Sequence, residues 1–133
     1  MNIIPETHRD LLKDEKRAFA YLATQMANGA PQVTPVWFNI SGDTILVNSA
    51  RGRVKDKNMR LRPVVTLCIQ DPTNPYRYLQ VRGRVIDITE AGANAHIDAL
   101  AGKYTGNFKY QNHQAGVPRV IYKIAPEKVD AHG

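Results

Sequence analysis

Gln32-Val33-Thr34-Pro35-Val36-Trp37-Phe38-Asn39-Ile40 is the stretch on which the fold turns. β-Branched and aromatic side chains dominate it, which suits a pleated, half-buried surface. Pro35 withholds one ladder donor, so the stretch reads as a strand with an edge or a bulge at that residue. On its N-terminal side Ala18-Phe19-Ala20-Tyr21-Leu22-Ala23-Thr24 reads as a buried strand, and Asn28-Gly29 supplies a reversal because both residues tolerate positive φ. On its C-terminal side Ser41-Gly42-Asp43 is a second turn signal and Thr44-Ile45-Leu46-Val47-Asn48-Ser49 a third strand. Residues 18–49 therefore predict an antiparallel meander, preceded by a helical turn over 6–13.

Further along, the period changes from two to a helical one. Val54, Asn58 and Leu61 fall on one stripe, with Gly52 before and Pro63 closing it, which predicts a short helix with a basic rim. Strand character returns over 64–70, a loop follows at Asp71-Pro72-Thr73-Asn74-Pro75, and 76–89 is a long β segment containing Gly83. Thr89 is placed to cap a second helix, in which Ile97, Leu100, Ala101 and Tyr104 recur at helical spacing and which ends near Gly106. A polar stretch over 107–118 precedes a last strand, Arg119-Val120-Ile121-Tyr122-Lys123-Ile124. About six mostly sequential strands with two or three helices predict a mainly β fold with α, a small antiparallel barrel with helices packed at its ends.

The chain has 133 residues, of which 43% are hydrophobic, and this is the length of one globular domain, expected to span 1–133. No run approaches the roughly 18 apolar residues that would cross a bilayer, and the first 16 residues are charged where a signal peptide needs an apolar core, so a soluble, cytoplasmic protein is expected. Cys68 is the one cysteine, which excludes an intrachain disulfide, and its apolar neighbours predict a buried small hydrophobe. Formal net charge is +6, and it is unevenly placed. Arg51, Arg53, Lys55, Lys57, Arg60 and Arg62 sit within twelve residues against Asp56 alone, leaving the rest of the chain close to neutral.

Several chemistries find no footing. His8, His96, His113 and His132 are far apart and no Cys pair accompanies them, so no metal site is expected. No strained Gly-x-Ser-x-Gly turn supports a nucleophile, and Gly102 and Gly106 flank a helix C-terminus rather than a dinucleotide loop. What remains is Asn48-Ser49-Ala50-Arg51-Gly52-Arg53-Val54-Lys55, where a strand ends in small polar residues and a helix begins. Free amides and the positive end of the helix dipole gather there, Ser49 offers a hydroxyl, Arg53 a planar fork and Lys55 a point charge, a combination suited to a phosphate. The plainer reading is a solvated basic helix. Clustered Lys/Arg beside aromatic strands also fits a barrel that binds single-stranded nucleic acid, the less favoured alternative because one basic junction suits a compact phosphate better than a long polyanion.

The succession of Pro31-Gln32-Val33-Thr34-Pro35-Val36-Trp37-Phe38, Leu46-Val47-Asn48-Ser49, Arg53-Val54-Lys55-Asp56-Lys57-Asn58-Met59-Arg60-Leu61-Arg62-Pro63 and Pro75-Tyr76-Arg77-Tyr78-Leu79-Gln80-Val81-Arg82-Gly83-Arg84-Val85 resembles the pyridoxamine-phosphate-oxidase-like split-barrel family. It is most similar to the branch of deazaflavin-dependent oxidoreductases, which shares an element like Ala101-Gly102-Lys103-Tyr104-Thr105-Gly106. The resemblance runs from about Arg17 to Pro126. It implies a homodimeric, six-stranded antiparallel split β-barrel with a cofactor at each subunit interface, coenzyme F420 or alternatively FMN, and hydride transfer to an unsaturated or conjugated small molecule. An FMN-binding flavin reductase-like protein or cofactor carrier is the rival within the fold.

Carried over by position, the resemblance implies that Val33, Thr34, Pro35, Val36, Trp37 and Phe38 contact the ring system through their backbone. Asn48 and Ser49 would meet the ribityl chain or phosphate, and Arg53, Val54 and Lys55 would hold the phosphate. Tyr78 would reach the cofactor bound mainly by the other chain, although Trp37 and Tyr78, each taken alone, read more readily as core or dimer packing than as cofactor contacts. No catalytic residue is singled out, and the proton could come from solvent, Tyr104 or Lys103. The C-terminal residues 123–133 lack the Trp and Arg constellation of the enzymes that oxidise pyridoxamine phosphate, so vitamin oxidation is not the expected activity.

Overall fold

Seven extended segments pair into one antiparallel sheet. A computed structural model describes residues 2–133, so Met1 of the expected domain lies outside the described residues. Two short 3-10 turns, Glu6–Leu12 and Asp14–Lys16, lead into β1 (Ala20–Gln25), β2 (Pro31–Val36), β3 (Phe38–Ser41), β4 (Thr44–Ala50), helix α1 (Val54–Leu61), β5 (Val64–Asp71), β6 (Asn74–Thr89), helix α2 (Ala93–Thr105) and β7 (Arg119–His132). Strand order across the sheet is β2-β1-β5-β6-β7-β4-β3.

The expected six strands become seven because the stretch 32–40 changes partner at Trp37. Pro31–Val36 pairs with β1, whereas Phe38–Ser41 pairs with β4. These two segments lie at opposite edges of the sheet yet are joined by a single residue, so the sheet must curl until its edges meet. The barrel is thus closed by covalent continuity through Trp37 and split between β2 and β3. The predicted meander holds only in this sheared sense, and Pro35 sits on an edge strand, where its missing N–H breaks no ladder. Inward positions, among them Leu22, Val47, Leu67, Ile69, Leu79, Val81, Tyr122 and Ile124, form one core.

Two register shifts bend the long β6–β7 pair, between Arg82 and Gly83 and between Val85 and Asp87. At the first, a Cβ on Gly83 would stand 2.6 Å from the carbonyl oxygen of Ala125, a backbone atom that has no rotamer to escape into. Gly83→Ala is therefore expected to destabilise the fold by about 1–3 kcal/mol, read as a lower urea midpoint.

Three local readings need correction. In α1, Val54 and Leu61 are 48% and 72% exposed, and the buried face is Asp56, Asn58 and Met59. The reason is polar: Asn58 Nδ2 donates to Thr24 Oγ1 at 3.0 Å, so a face that a hydrophobicity count assigns to solvent docks on β1. Thr89 does not cap α2. Gly92, in the left-handed region at φ 76°, is the N-cap, and Thr89 Oγ1 accepts from the Ala91 amide in the turn before it. Cys68 points outward from β5 between the inward Leu67 and Ile69 and is only half-buried, though that burial still pushes its thiol up, away from reactivity.

Candidate functional site

A cleft of about 290 Å³ opens where β2 runs into Trp37, beside the end of β4, the start of α1 and the start of β7. One wall is apolar, made by Pro35, Val36 and Trp37 with Phe19 and Ile97. Trp37 is held by neighbours: its ring stacks on Tyr104 with centroids 5.3 Å apart, Tyr104 stacks in turn on Phe19, and Tyr110 meets Trp37 edge-on.

The other wall is cationic. The chain leaves β4 at Ala50, turns at Gly52, whose φ of 91° suits glycine, and enters α1 through Arg53 at the N-cap. No side chain caps α1; instead Asp56 in its first turn reaches back, its Oδ2 accepting the Gly52 amide at 2.9 Å. This fixes the loop that presents Arg53 and Lys55. Lys55 Nζ donates to Thr34 Oγ1 at 2.9 Å and so spans from α1 to β2. Burial lowers its pKa, and Arg53 and Arg119 push the same way. Arg119, at the start of β7, donates from Nε to Asn48 Oδ1 at 2.8 Å and lies with Cζ 5.1 Å from the Tyr110 ring centre. Burial lowers its pKa as well. Among the described residues none of these three cations has a carboxylate within ion-pair distance. Two partly desolvated cations, Lys55 and Arg119, with the exposed Arg53 beside them around one apolar-walled cleft, form a site that an anion would stabilise.

The structure also redistributes the basic segment. Arg51 pairs with Glu90, Arg60 with Asp56, and Arg62 donates to the Gln25 carbonyl and to Asn58. Its charge is thus partly spent on the fold, and the cleft draws its third cation from a distant strand.

Of the residues singled out from sequence, Pro35, Val36, Trp37, Asn48, Ser49, Arg53 and Lys55 line this cleft, and Thr34 touches it through Lys55. Val33 is 62% exposed on β2, Val54 is half-exposed beside Arg53, and Phe38 is fully buried in the core; none of the three lines the cleft. Tyr78 lies on β6, stacked on His132 at 4.9 Å and outside the cleft. Residues not anticipated are Arg119, Tyr110, Asn112, Phe19 and Ile97. The sequence signal for Tyr110 is an aromatic pair, Phe108 and Tyr110, within a mostly polar stretch.

Lys103 and Tyr104 are bound to backbone carbonyls, and Lys103 also faces the Asp14 carboxylate at 3.4 Å. Lys103 Nζ donates to the Phe38 carbonyl at 2.7 Å, and Tyr104 Oη donates to the Ala18 carbonyl at 2.7 Å while accepting from the Phe38 amide. Burial raises the Tyr104 pKa well above the ordinary phenol value, which makes it a poor proton donor. Of the histidines, His8 lies between Thr7 and the His132 carbonyl, His113 faces Asp98, and His96 stands between Asn39 and Asn48.

A family model described as pyridoxamine 5'-phosphate oxidase matches residues 4–133. The chain belongs to this family. Its members' split barrel accounts for the covalent closure at Trp37 and for a cleft at the seam. Among solved structures, an F420 reductase is 32% identical over 96% of this chain and 98% of its own, with a TM-score of 0.83. A heme storage protein from Vibrio cholerae is 18% identical over 100% of this chain and 96% of its own, with a TM-score of 0.68. A conserved protein from Mycobacterium tuberculosis is 18% identical over 98% and 85%, with a TM-score of 0.71. The latter two share the fold alone. No curated protein matches the chain by sequence. Among the described residues no helix is long and apolar enough to cross a membrane.

Proposed function

We propose that the cleft holds the deazaflavin coenzyme F420 and that the protein is an oxidoreductase acting on an unsaturated or conjugated organic small molecule. The observation that carries this is the convergence of Arg53, Lys55 and Arg119, without a carboxylate partner among the described residues, beside the apolar wall of Pro35, Val36 and Trp37. Similarity to an F420 reductase over nearly the full chain supports the same reading. More than one anionic group fits three cations better than a single phosphate does, which is why F420, with its charged tail, is placed ahead of FMN.

When bound, such a coenzyme supplies the hydride, and the chain's part is to bind, orient and exclude water. Arg53, Lys55 and Arg119, with the Ser49 hydroxyl and the first-turn amides of α1, would hold the phosphate. The backbone of residues 33–38 and the braced Trp37 ring would flank the flat ring system. Lys103 and Tyr104 are engaged by the Phe38 and Ala18 carbonyls and Asp14 and do not line the cleft, which favours solvent as the source of the product's proton. Two copies of this one-domain chain would complete the site, Tyr78 reaching across from the second.

Trp37 is the chain's one tryptophan and lines the cleft, so its fluorescence reports occupancy. Titration with F420 is expected to quench it saturably, with FMN weaker. A response to FMN with none to F420 makes the protein an FMN binder, and salt-sensitive binding of oligonucleotides with no response to either coenzyme removes the flavin reading altogether.

A further inference from the structure

A chain of side chains behind the cleft has a polarity that only one arrangement satisfies. Asn48, 8% exposed near the end of β4, has both side-chain polar atoms partnered. Its Oδ1 accepts from Arg119 Nε at 2.8 Å, and its Nδ2 faces the Ala93 carbonyl at 2.9 Å and His96 Nδ1 at 3.0 Å. Turning the amide over would set its NH2 against the guanidinium donor and its oxygen against the Ala93 carbonyl, so the orientation is fixed. Both amide hydrogens are then donated, and His96 Nδ1 has to accept one of them. The imidazole proton must sit on Nε2, which faces Asn39 Oδ1 at 2.8 Å.

We propose that His96 is a positioning residue: neutral and protonated on Nε2, it locks the Asn48 amide, and Asn48 in turn aims the Arg119 guanidinium into the cleft. Asn39 Oδ1 on β3 accepts the Nε2 proton of that tautomer. Burial and the nearby Arg119 charge lower the His96 pKa to about 4, which agrees with a ring that has no room for a second proton. The chain crosses four elements, β3, α2, β4 and β7, and so ties the cation contributed last in the sequence to the seam of the barrel. The role in binding rests on the cleft being an anion site; the hydrogen-bond polarity does not.

The free protein tests the polarity. In a long-range proton–nitrogen spectrum at neutral pH, the His96 ring is expected to carry its proton on Nε2, and the Arg119 Nε–H to exchange slowly with solvent. His96→Leu cannot accept from Asn48 and is expected to speed that exchange about tenfold while amides of β5 and β6 keep their protection. A proton on Nδ1, or an Arg119 Nε–H indifferent to the substitution, overturns the proposal. Should His96→Leu fail to fold, Asn48→Asp serves: a carboxylate has no hydrogen for Nδ1, so the ring is expected to take up a second proton at neutral pH, and a ring that stays protonated on Nε2 alone overturns the proposal.

Binding tests the role. With F420 and FMN each as probe, His96→Leu is expected to weaken affinity about five- to tenfold, and to add nothing further in an Arg119→Ala background. A histidine effect that persists without Arg119 marks general damage to the fold and overturns the positioning role. If the exchange of Arg119 Nε–H responds to His96→Leu while Arg119→Ala leaves both affinities unchanged, the aiming chain stands and the anion reading of the cleft falls.

Discussion

Lys55→Ala is expected to weaken coenzyme binding about 10- to 150-fold, the equivalent of about 1.5–3 kcal/mol for a charge-assisted hydrogen bond in a partly desolvated site. Lys55 is half-buried, and its ammonium is tethered to Thr34 Oγ1, so its direction into the cleft is set before any ligand arrives. In the ligand-free protein this arrangement is unfavourable: burial and the charges of Arg53 and Arg119 all disfavour the ammonium. An anion in the cleft offsets that cost, and the same burial strengthens its attraction to the ammonium, which is why the loss on truncation exceeds that of a surface lysine. The fold is expected to change little, because the Lys55 side chain bonds only to an edge-strand hydroxyl and its removal relieves repulsion between like charges. Quenching of Trp37 gives the affinity and a urea melt gives the stability. An unchanged affinity with an unchanged melt would place the phosphate elsewhere.

Strands were readable where one face is buried, because alternation is then imposed residue by residue; β5 follows it throughout, and the helix of Ile97, Leu100 and Ala101 follows the 3.6 period as well. The exchange of partners at Trp37 left no local mark, since Val36 and Phe38 are equally good strand residues and only the arrangement of the whole sheet separates them. The half of the site local to one turn, from Asn48 to Lys55, was legible from charge and turn chemistry. Arg119 was not: it reaches the cleft through the pairing of Ala50 with Arg119 in the β4–β7 register, a contact spanning about half the chain. The buried face of α1 escaped for another reason. Asp56 and Asn58 are polar, and polar side chains signal solvent unless their partners are known.

Asp56→Ala is expected to cost about 3–5 kcal/mol of folding stability, a large share of the roughly 5–15 kcal/mol that a domain holds. The carboxylate is 2% exposed and accepts three donors: the Gly52 amide at 2.9 Å, Arg60 Nε at 3.0 Å and Tyr122 Oη at 2.5 Å. Tyr122 is wholly buried in the core, so truncating Asp56 strands its hydroxyl where water does not reach, alongside a guanidinium that loses its partner. Burial works against the charge on Asp56, but the Gly52, Tyr122 and Arg60 hydrogen bonds outweigh it and hold its pKa below the ordinary value. A depressed carboxylate contributes stability that is present above its unfolded pKa and lost as pH falls through the folded one, so the wild-type advantage over Asp56→Ala is expected to shrink in acid below the usual carboxylate range. Tyr122→Phe is the control, since it leaves Asp56 with two donors and its loss is expected to be only about 1–2 kcal/mol. Asp56 also fastens the loop carrying Arg53 and Lys55, so a variant that still folds is expected to bind coenzyme poorly although Asp56 does not line the cleft. Equal urea midpoints for Asp56→Ala and Tyr122→Phe would show that the carboxylate supports the core hydroxyl and nothing else, and that the loop before α1 is held by other means.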